Sequence, residues 1–563
     1  MKKIILIIGV LVLVAAGVGY WYFKKYLKSA DFSQSMRDRL TELVRDKSNG
    51  RYSISIGEIY LNPDKQSASV RDIRLLPDTT LITTGMLYSV QLDNLLLKQV
   101  DIAALLANQS VNLGNITVAG GKIDISNLGK PIATTQDTTQ KAGVKENKHK
   151  LFTSLQQSPL TGIQIDSLQL DQVELVYHNH NKKTQSIKNM HIDLIGLAID
   201  SSAMVDTSRV LFSKAVTIAI DSINVPVSND KYRLKADKLL LSMGEKNMAL
   251  VKNLALQSIP VRSMEAAAAA TGIQKDVYDL KLKEITANGF DYTALLEDST
   301  IIATSVLLSE PSLSVFNDKT NPPATESKLG KYPHQLLRKL PYKTDIGTVL
   351  IENGSVLYQE KNEKGDGIGK VVFTRINGKL GPLLDDGVQP QPLRANFEAW
   401  FMDKAKTTVQ FDFPVSNDGQ FIVSARFSPF AASILNAATL PLGNTKIASG
   451  DIRRLDFTVK GNNNAARAST TLTYTNLKIE VMKGDQASGF QKRGLLTAIA
   501  NNFVLTNTNL PGDKHKDQTS ATYRRVLSKS FFNLVWKSVF YAVKENVGVG
   551  LMGKDKERAV IHQ

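Results

Sequence analysis

Tyr52-Ser-Ile-Ser-Ile-Gly-Glu-Ile-Tyr-Leu61 is the stretch that decides the fold. Tyr52, Ile54 and Ile56 alternate with polar residues, and the alternation resumes at Ile59 and Leu61 after a gap of two positions, Gly57 and Glu58. A period of two places one apolar face on a strand. The gap has the spacing of a β-bulge, in which one extra residue bends the strand while both halves keep their apolar side chains on the same face.

The same phrase, two apolar positions three apart followed by a third two further on, returns along the chain. It is found at Val70/Ile73/Leu75, Leu92/Leu95/Leu97, Leu113/Ile116/Val118, Ile165/Leu168/Leu170 and Ile220/Ile223/Val225. Further copies lie at Ala236/Leu239/Leu241, Leu282/Ile285/Ala287, Ile346/Val349/Ile351 and Ile452/Leu455/Phe457. In a chain that is 42% hydrophobic, so loose a phrase arises roughly ten times by chance. Context therefore carries the weight: each copy sits among further alternating residues, and helix-period stretches are few. The expected fold is mainly β, a long curved antiparallel sheet forming an open groove, with short helices between strands.

Residues 1–28 read as a membrane anchor. Ile4 to Phe23 carry no charge over twenty residues, which at ~1.5 Å per residue matches the roughly 30 Å core of a bilayer. The run ends in Tyr20, Trp21, Tyr22 and Phe23 and then Lys24 and Lys25, a headgroup-level pattern that suits a retained anchor better than a cleaved signal peptide. Residues 29–50 read as a short amphipathic helix closed by Asn49-Gly50, and 51–316 as an N-terminal β region interrupted by a polar loop at 130–150. Asn317 to Pro333, with three prolines, reads as an exposed linker, and 334–510 as a C-terminal β region. Short helices are expected at 263–270, 334–340 and 429–438. An amphipathic helix is expected over 521–547, followed by a tail, 548–563. Phe532, Trp536 and Phe540 on that helix, with Trp21, are membrane-interface candidates; the alternative for the helix is to cap the end of a sheet.

Chemistry is sparse. There is no cysteine, which excludes disulfides, thiolate metal sites and a lipid-modified N-terminal cysteine. His178 and His180 would share a strand face, but no further ligand stands near them in the sequence. Gly548-Val-Gly-Leu-Met-Gly553 matches a dinucleotide fingerprint in letters only, since it follows a helix and leaves ten residues to the end. Asp385-Asp386 fits a polar turn better than a glycosidase pair. No catalytic, cofactor or metal residues are assigned, and the chain is expected not to be an enzyme. The net charge of +16 favours anionic partners, but no nucleic-acid reader motif is present.

The order of features resembles the AsmA-like proteins of Gram-negative envelopes, which are related to TamB and to bridge-like lipid-transfer proteins. The resemblance rests on the anchor, the short helix before Asn49-Gly50, Tyr52 to Leu61, and Ser69-Val-Arg-Asp-Ile-Arg-Leu-Leu76. Late in the chain it rests on Phe427 to Leu435, Lys446 to Val459 and Ala468 to Val481. It implies a single-pass inner-membrane protein, N-terminus inside, held by residues 4–23 with its bulk in the periplasm. It also implies a groove that binds and conducts phospholipid between inner and outer membrane, with an outer-membrane or periplasmic protein as a further partner. The alternative is an envelope-assembly scaffold that assists outer-membrane protein biogenesis. The lipid-contact candidates are Ile54, Ile56, Ile59, Leu113, Ile116, Val118, Ile165, Leu168, Leu170, Ile346, Val349 and Ile351. An aspartate at Ile116 or Leu168 is expected to block lipid passage with the fold retained if the apolar strip lines a groove, and to unfold the chain if the strip is a filled core.

Overall fold

The computed structural model describes residues 30–548 apart from 63–66, 84, 102–109, 129–161, 179–183, 207, 211, 228–230, 245, 260–262, 341, 386–390, 486–488, 495, 497–505 and 514–516. The fold is mainly β, with 25 strands among the described residues building mixed sheet rather than a purely antiparallel one. The described residues form two compact units, one of residues up to Val225 with Ala236–Val251 and Leu296–Asp298, the other of Pro226–Lys235, Lys252–Leu295 and Ser299 onward. The proline-bearing segment 317–333 lies inside the second unit. Among the described residues no helix is long and apolar enough to cross a membrane. The expected anchor at 4–23, Trp21 and the polar loop 130–150 lie outside the described residues.

In the first unit β1 (Tyr52–Ser55) and β2 (Ile59–Asn62) both pair with β3 (Ser67–Pro77), and β4 (Met86–Asp101) and β5 (Ser110–Asn127) follow antiparallel. β6 (Gly162–His178) then lies parallel to β5. Residues 128–161 between them are long enough for the crossover that a parallel pair needs. β7 (Thr184–Ile199), β8 (Ala215–Val227) and β10 (Lys238–Met243) continue antiparallel.

The expected bulges take a particular form here. On β3 and β4 Arg71 faces Asn94 and Ile73 faces Leu92, while Asp72 and Asp93 between them make no ladder pair. The offset is the same before and after, because both strands step at once. Asp93 faces Gly120 in the same way, and Gly120 faces Gln172. A second line of skipped positions runs through Gln99, Gly114, Asp166 and Gly196. Asp72, Gln99, Gly120, Gln172 and Gly196 all have positive φ, the left-handed conformation that glycine adopts freely and short polar residues tolerate. The polar or glycine pair inside the phrases at Val70, Leu92, Leu113 and Ile165 thus supplies a step, and neighbouring strands supply it at matching levels.

The matched steps keep apolar rows unbroken across the strands. Ala68, Leu97, Ile116, Leu168, Leu194, Val216 and Met243 stand directly opposite one another on seven strands, and all are buried. A second row runs Ile59, Val70, Leu95, Val118, Leu170, Ile192, Ile218 and Leu241. Directly opposed side chains lie within contact distance and are the unit of sheet stabilisation.

The second unit uses the same device. β9 (Tyr232–Ala236) pairs with β11 (Met248–Ser258), and β12 (Val277–Asn288) pairs with both β13 (Thr300–Ser309) and β14 (Ser312–Asp318). β15 (Lys343–Lys361) lies parallel to β13 along its first half and to β14 along its second. β16 (Ile368–Gly381), β17 (Leu383–Asp385), β18 (Leu393–Phe401), β19 (Ala405–Phe413), β20 (Phe421–Phe427), β21 (Phe430–Ala431), β22 (Thr445–Gly461), β23 (Ala465–Asp485), β24 (Gly489–Lys492) and β25 (Gln518–Arg524) extend it antiparallel. One row crosses ten of these strands: Ala287, Val306, Val349, Leu380, Ala395, Phe411, Val423, Val459, Ala468 and Ala521. Between β13 and β15 the skipped pairs are Thr304 with Gly347 and Glu310 with Asn353. Glu310 and Asn353 are both left-handed.

The named helices are α1 (Ala30–Lys47), α2 (Ser201–Val205), α3 (Met264–Ala269), α4 (Tyr292–Asp298), α5 (Pro333–Leu337), α6 (Asn436–Gly443) and α7 (Phe531–Asn546). α7 begins ten residues later than the expected 521. Ala521 and Tyr523 alternate inward on β25, facing Ala468 and Ala466, and the Ser530 side chain then caps the helix by accepting from Asn533 N. The helix packs Leu534, Val539, Tyr541 and Ala542 with Tyr332, Phe413, Phe421 and Tyr523 in an aromatic core. Asn546 Oδ1 accepts from Thr470 and Thr519, at 2.8 Å each.

Ile116 and Leu168 are completely buried in the described structure. Leu168→Ala is expected to cost about 2–5 kcal/mol in urea unfolding, and Leu168→Asp to abolish the folded first unit; a folded Leu168→Asp protein would contradict that burial. Gly121, at φ 151°, has space for no Cβ, which would come 2.5 Å from the Gln91 carbonyl oxygen. Gly121→Ala is expected to cost about 1–3 kcal/mol by the same measurement.

Candidate functional site

The lipid-contact candidates fall on the apolar rows, but they are not equally accessible. Ile54, Ile56, Leu113, Ile116, Val118, Ile165, Leu168 and Leu170 are buried, and so are Ile346 and Val349 in the second unit. Ile59 and Ile351 are half-buried. Water reaches an apolar sheet face elsewhere in the second unit, where β12, β14, β15 and β16 meet. Leu280, Leu313, Val356 and Phe373 stand opposite one another there and continue to Phe401; Tyr278, Val315, Tyr358 and Val371 form the next row. Seven of these nine are apolar and the other two are tyrosines. All are partly or well exposed, Tyr278 at 41%.

Each strand of this face changes character along its length. On β12 and the residues before it the face reads Leu280, Tyr278, Asp276 and Gln274; on β14 and just beyond it, Leu313, Val315, Asn317 and Lys319; on β15, Val356, Tyr358 and Glu360. An apolar floor therefore gives way to phenols and then to charge. The Tyr358 hydroxyl donates to Glu360 Oε2 at 2.7 Å, Lys319 pairs with Glu360 at 3.4 Å and Lys328 with Asp276 at 3.5 Å. Lack of water around the Tyr358 and Tyr278 phenols, together with the nearby carboxylates Glu360 and Asp276, pushes both far above the usual tyrosine range. The opposite face is covered at one end, where Val277 and Phe316 pack with Ala267 and Ala268 of α3, and carries exposed residues such as Lys281 and Lys370 elsewhere.

The segment that carries Lys328 is pinned. Arg525 donates to the Lys328 carbonyl at 2.6 Å and stacks its guanidinium over the Tyr332 ring at 4.3 Å, and the Tyr332 hydroxyl donates to the Asn462 carbonyl at 2.8 Å. The reading of 317–333 as an exposed linker therefore fails at both ends, where Asn317, Asp318 and Tyr332 are buried. This polar cluster escaped the sequence reading because its members come from three separated strands and a loop.

On α7 Phe532 and Trp536 are 62% and 58% exposed, and Trp536 stacks on Phe540 at 5.9 Å. Lys537 and Lys544 lie over the Phe540 ring at 5.4 and 5.1 Å. The helix thus caps a sheet with one side and presents aromatics and lysines on the other.

No group of three or more metal-ligating side chains is found among the described residues. His178 contacts Asp124 at 3.0 Å and Thr184 at 2.8 Å; His180 and Asp386 lie outside the described residues. His191 sits between Asp171 and Asp221, and its hydrogen bond to Asp171 raises its pKa. Comparison with known protein families finds no match, and none of the curated proteins matches the chain.

His334 reports on the anchored segment. It is buried, stacks on Phe413 at 4.5 Å, and neither ring nitrogen has a partner among the described residues. Burial, helped by Arg338, pushes its pKa down to about 4. The folded pKa lies below the unfolded one, so the stability is complete above about pH 6.5 and is lost as pH falls toward 4, by roughly 3 kcal/mol in all. Thermal melts from pH 7 to pH 4 are expected to show this loss, and His334→Phe to remove most of it. An unchanged pH slope in the variant would refute the assignment.

Proposed function

We propose that the chain binds phospholipid on the second unit, with acyl chains on the rows Leu280–Leu313–Val356–Phe373–Phe401 and Tyr278–Val315–Tyr358–Val371, and that this face is part of a path for lipid between two membranes. The observation that carries the reading is the gradient along three adjacent strands, from apolar through tyrosine to charge, on a face that water reaches. A phospholipid has the same gradient. Each acyl methylene removed from water contributes about 0.8 kcal/mol, so a continuous apolar row lowers the cost of moving a chain without any catalytic group.

Three further features support it. The sequence resembles AsmA-like envelope proteins at both ends, residues 4–23 fit a bilayer, and the exposed aromatics and lysines of α7 suit a membrane interface. The reading makes the chain an inner-membrane-anchored periplasmic carrier rather than an enzyme. The matched rows of the first unit belong to the same design; they are buried, and the half-exposed rows of the second unit are the ones this reading uses.

Native mass spectrometry of the full chain is expected to find retained phospholipid, with retention falling at least about tenfold in Phe373→Asp and Leu313→Asp, since an acyl chain will not lie against a charge. Equal retention by both folded variants would sink the proposal.

A further inference from the structure

We infer that Lys319, Lys328 and Lys529 form a binding site for a phosphate-bearing group at the charged end of this face. The inference is argued from charge and does not rest on the acyl-chain reading.

Three ammonium groups converge on a place that holds two carboxylates. Lys319 is paired with Glu360 and Lys328 with Asp276. Lys529 has neither: its Nζ donates to Gln274 Oε1 at 2.9 Å, and among the described residues it makes no ion pair. Glu326, in the same loop, is taken by Lys331. The Lys529 ammonium is half-buried and short of water, which pushes its pKa down; repulsion by Lys319 and Lys328 adds to this, while Glu360 and Asp276 act against it without forming an ion pair. A third positive charge left in this position is costly unless something negative joins it.

The surroundings are built rather than incidental. Gln274, which holds Lys529, is itself fixed through its Nε2 to the carbonyls of Lys319 and Asn321, at 3.3 and 3.1 Å. Lys328 is held at both backbone ends, its carbonyl by Arg525 and its N–H by the Leu527 carbonyl at 2.7 Å. Asn317 is buried and donates to Asp276 at 2.6 Å, while its own Oδ1 has no donor among the described residues. An orphaned buried acceptor costs stability unless a ligand fills it. A lysine with no ion pair, and an unfilled acceptor held on Asp276, the carboxylate that Lys328 pairs with, match a phosphate ester whose adjacent hydroxyl donates to Asn317. Such a group occurs in a glycerophospholipid head and in soluble phosphate esters alike.

The test titrates the full-length chain with sn-glycerol 3-phosphate and with inorganic phosphate at matched ionic strength, reading the thermal midpoint and calorimetric binding. Binding is expected, with at least tenfold loss in Lys529→Met and retention in Lys529→Arg. Lys529→Met should also raise the ligand-free midpoint, since it removes an ammonium that burial and two like charges disfavour. If that variant does not fold, Lys319→Gln serves in its place, with the same loss expected. Tenfold preference for glycerol 3-phosphate assigns the site to a lipid head, and equal binding of inorganic phosphate assigns it to a free anion. Absence of binding, or equal binding by Lys529→Met, would overturn the inference. Phe373→Asp separates it from the acyl-chain proposal, because that variant should lose lipid retention and keep glycerol 3-phosphate binding.

Discussion

A strand that shifts its apolar phase by one residue turns its remaining side chains to the other face unless its neighbour shifts at the same level or a one-sided bulge absorbs the extra residue, as at Thr374–Asn377 and Ile452–Arg454. The sheet depends on meeting that constraint. Asp72 with Asp93, Gly120 with Gln172, Gln99 with Gly114, and Glu310 with Asn353 are skipped together, so the ladder offset does not change and apolar residues stay opposite one another for seven to ten strands. Left-handed backbone at many of these positions is the local cost. The return is an apolar row that runs across the strands rather than along any one of them.

What a row does then depends on how well it is covered. Where Ala68 to Met243 and Val423 to Ala521 are buried, the row is a core and its main product is stability. Between β12 and β16 the residues are smaller in burial and end in tyrosines, carboxylates and lysines, so the same architecture presents an amphipathic surface. The aromatic core under α7 holds the chain from Arg525 to Ser530 against the 328–332 segment, through Arg525, Tyr332 and Phe531. That packing fixes Lys328 and places Lys529 beside Gln274. Packing and electrostatics are thus coupled within one unit.

The sequence phrase at Val70/Ile73/Leu75, Leu92/Leu95/Leu97, Leu113/Ile116/Val118 and Ile165/Leu168/Leu170 was legible because alternation and a polar step are both local. Helices at Ala30–Lys47 and Met264–Ala269 were legible for the same reason, the latter through the Ser263 cap. Pairing direction was not: β5–β6, β13–β15 and β14–β15 are parallel, which depends on how long connections cross over. The start of α7 was missed because Ala521 and Tyr523 are compatible with either period and their partners on β23 decide. Nor can one sequence show which apolar positions are buried and which half-exposed: Ile116 and Leu168 are buried, Leu313 and Phe373 half-exposed, and all four read alike as apolar strand positions. The lysine cluster is a product of register, assembled from residues up to 255 positions apart.

The central claim is that one face of β12–β16 meets lipid and the other does not, and site-specific photocrosslinking in membranes tests it most directly. A photoreactive residue at Leu313 or Phe373 should capture phospholipid, while one at Lys281 or Lys370, exposed on the opposite face of the same strands, should not. Equal capture from both faces, or capture from neither, would contradict the account.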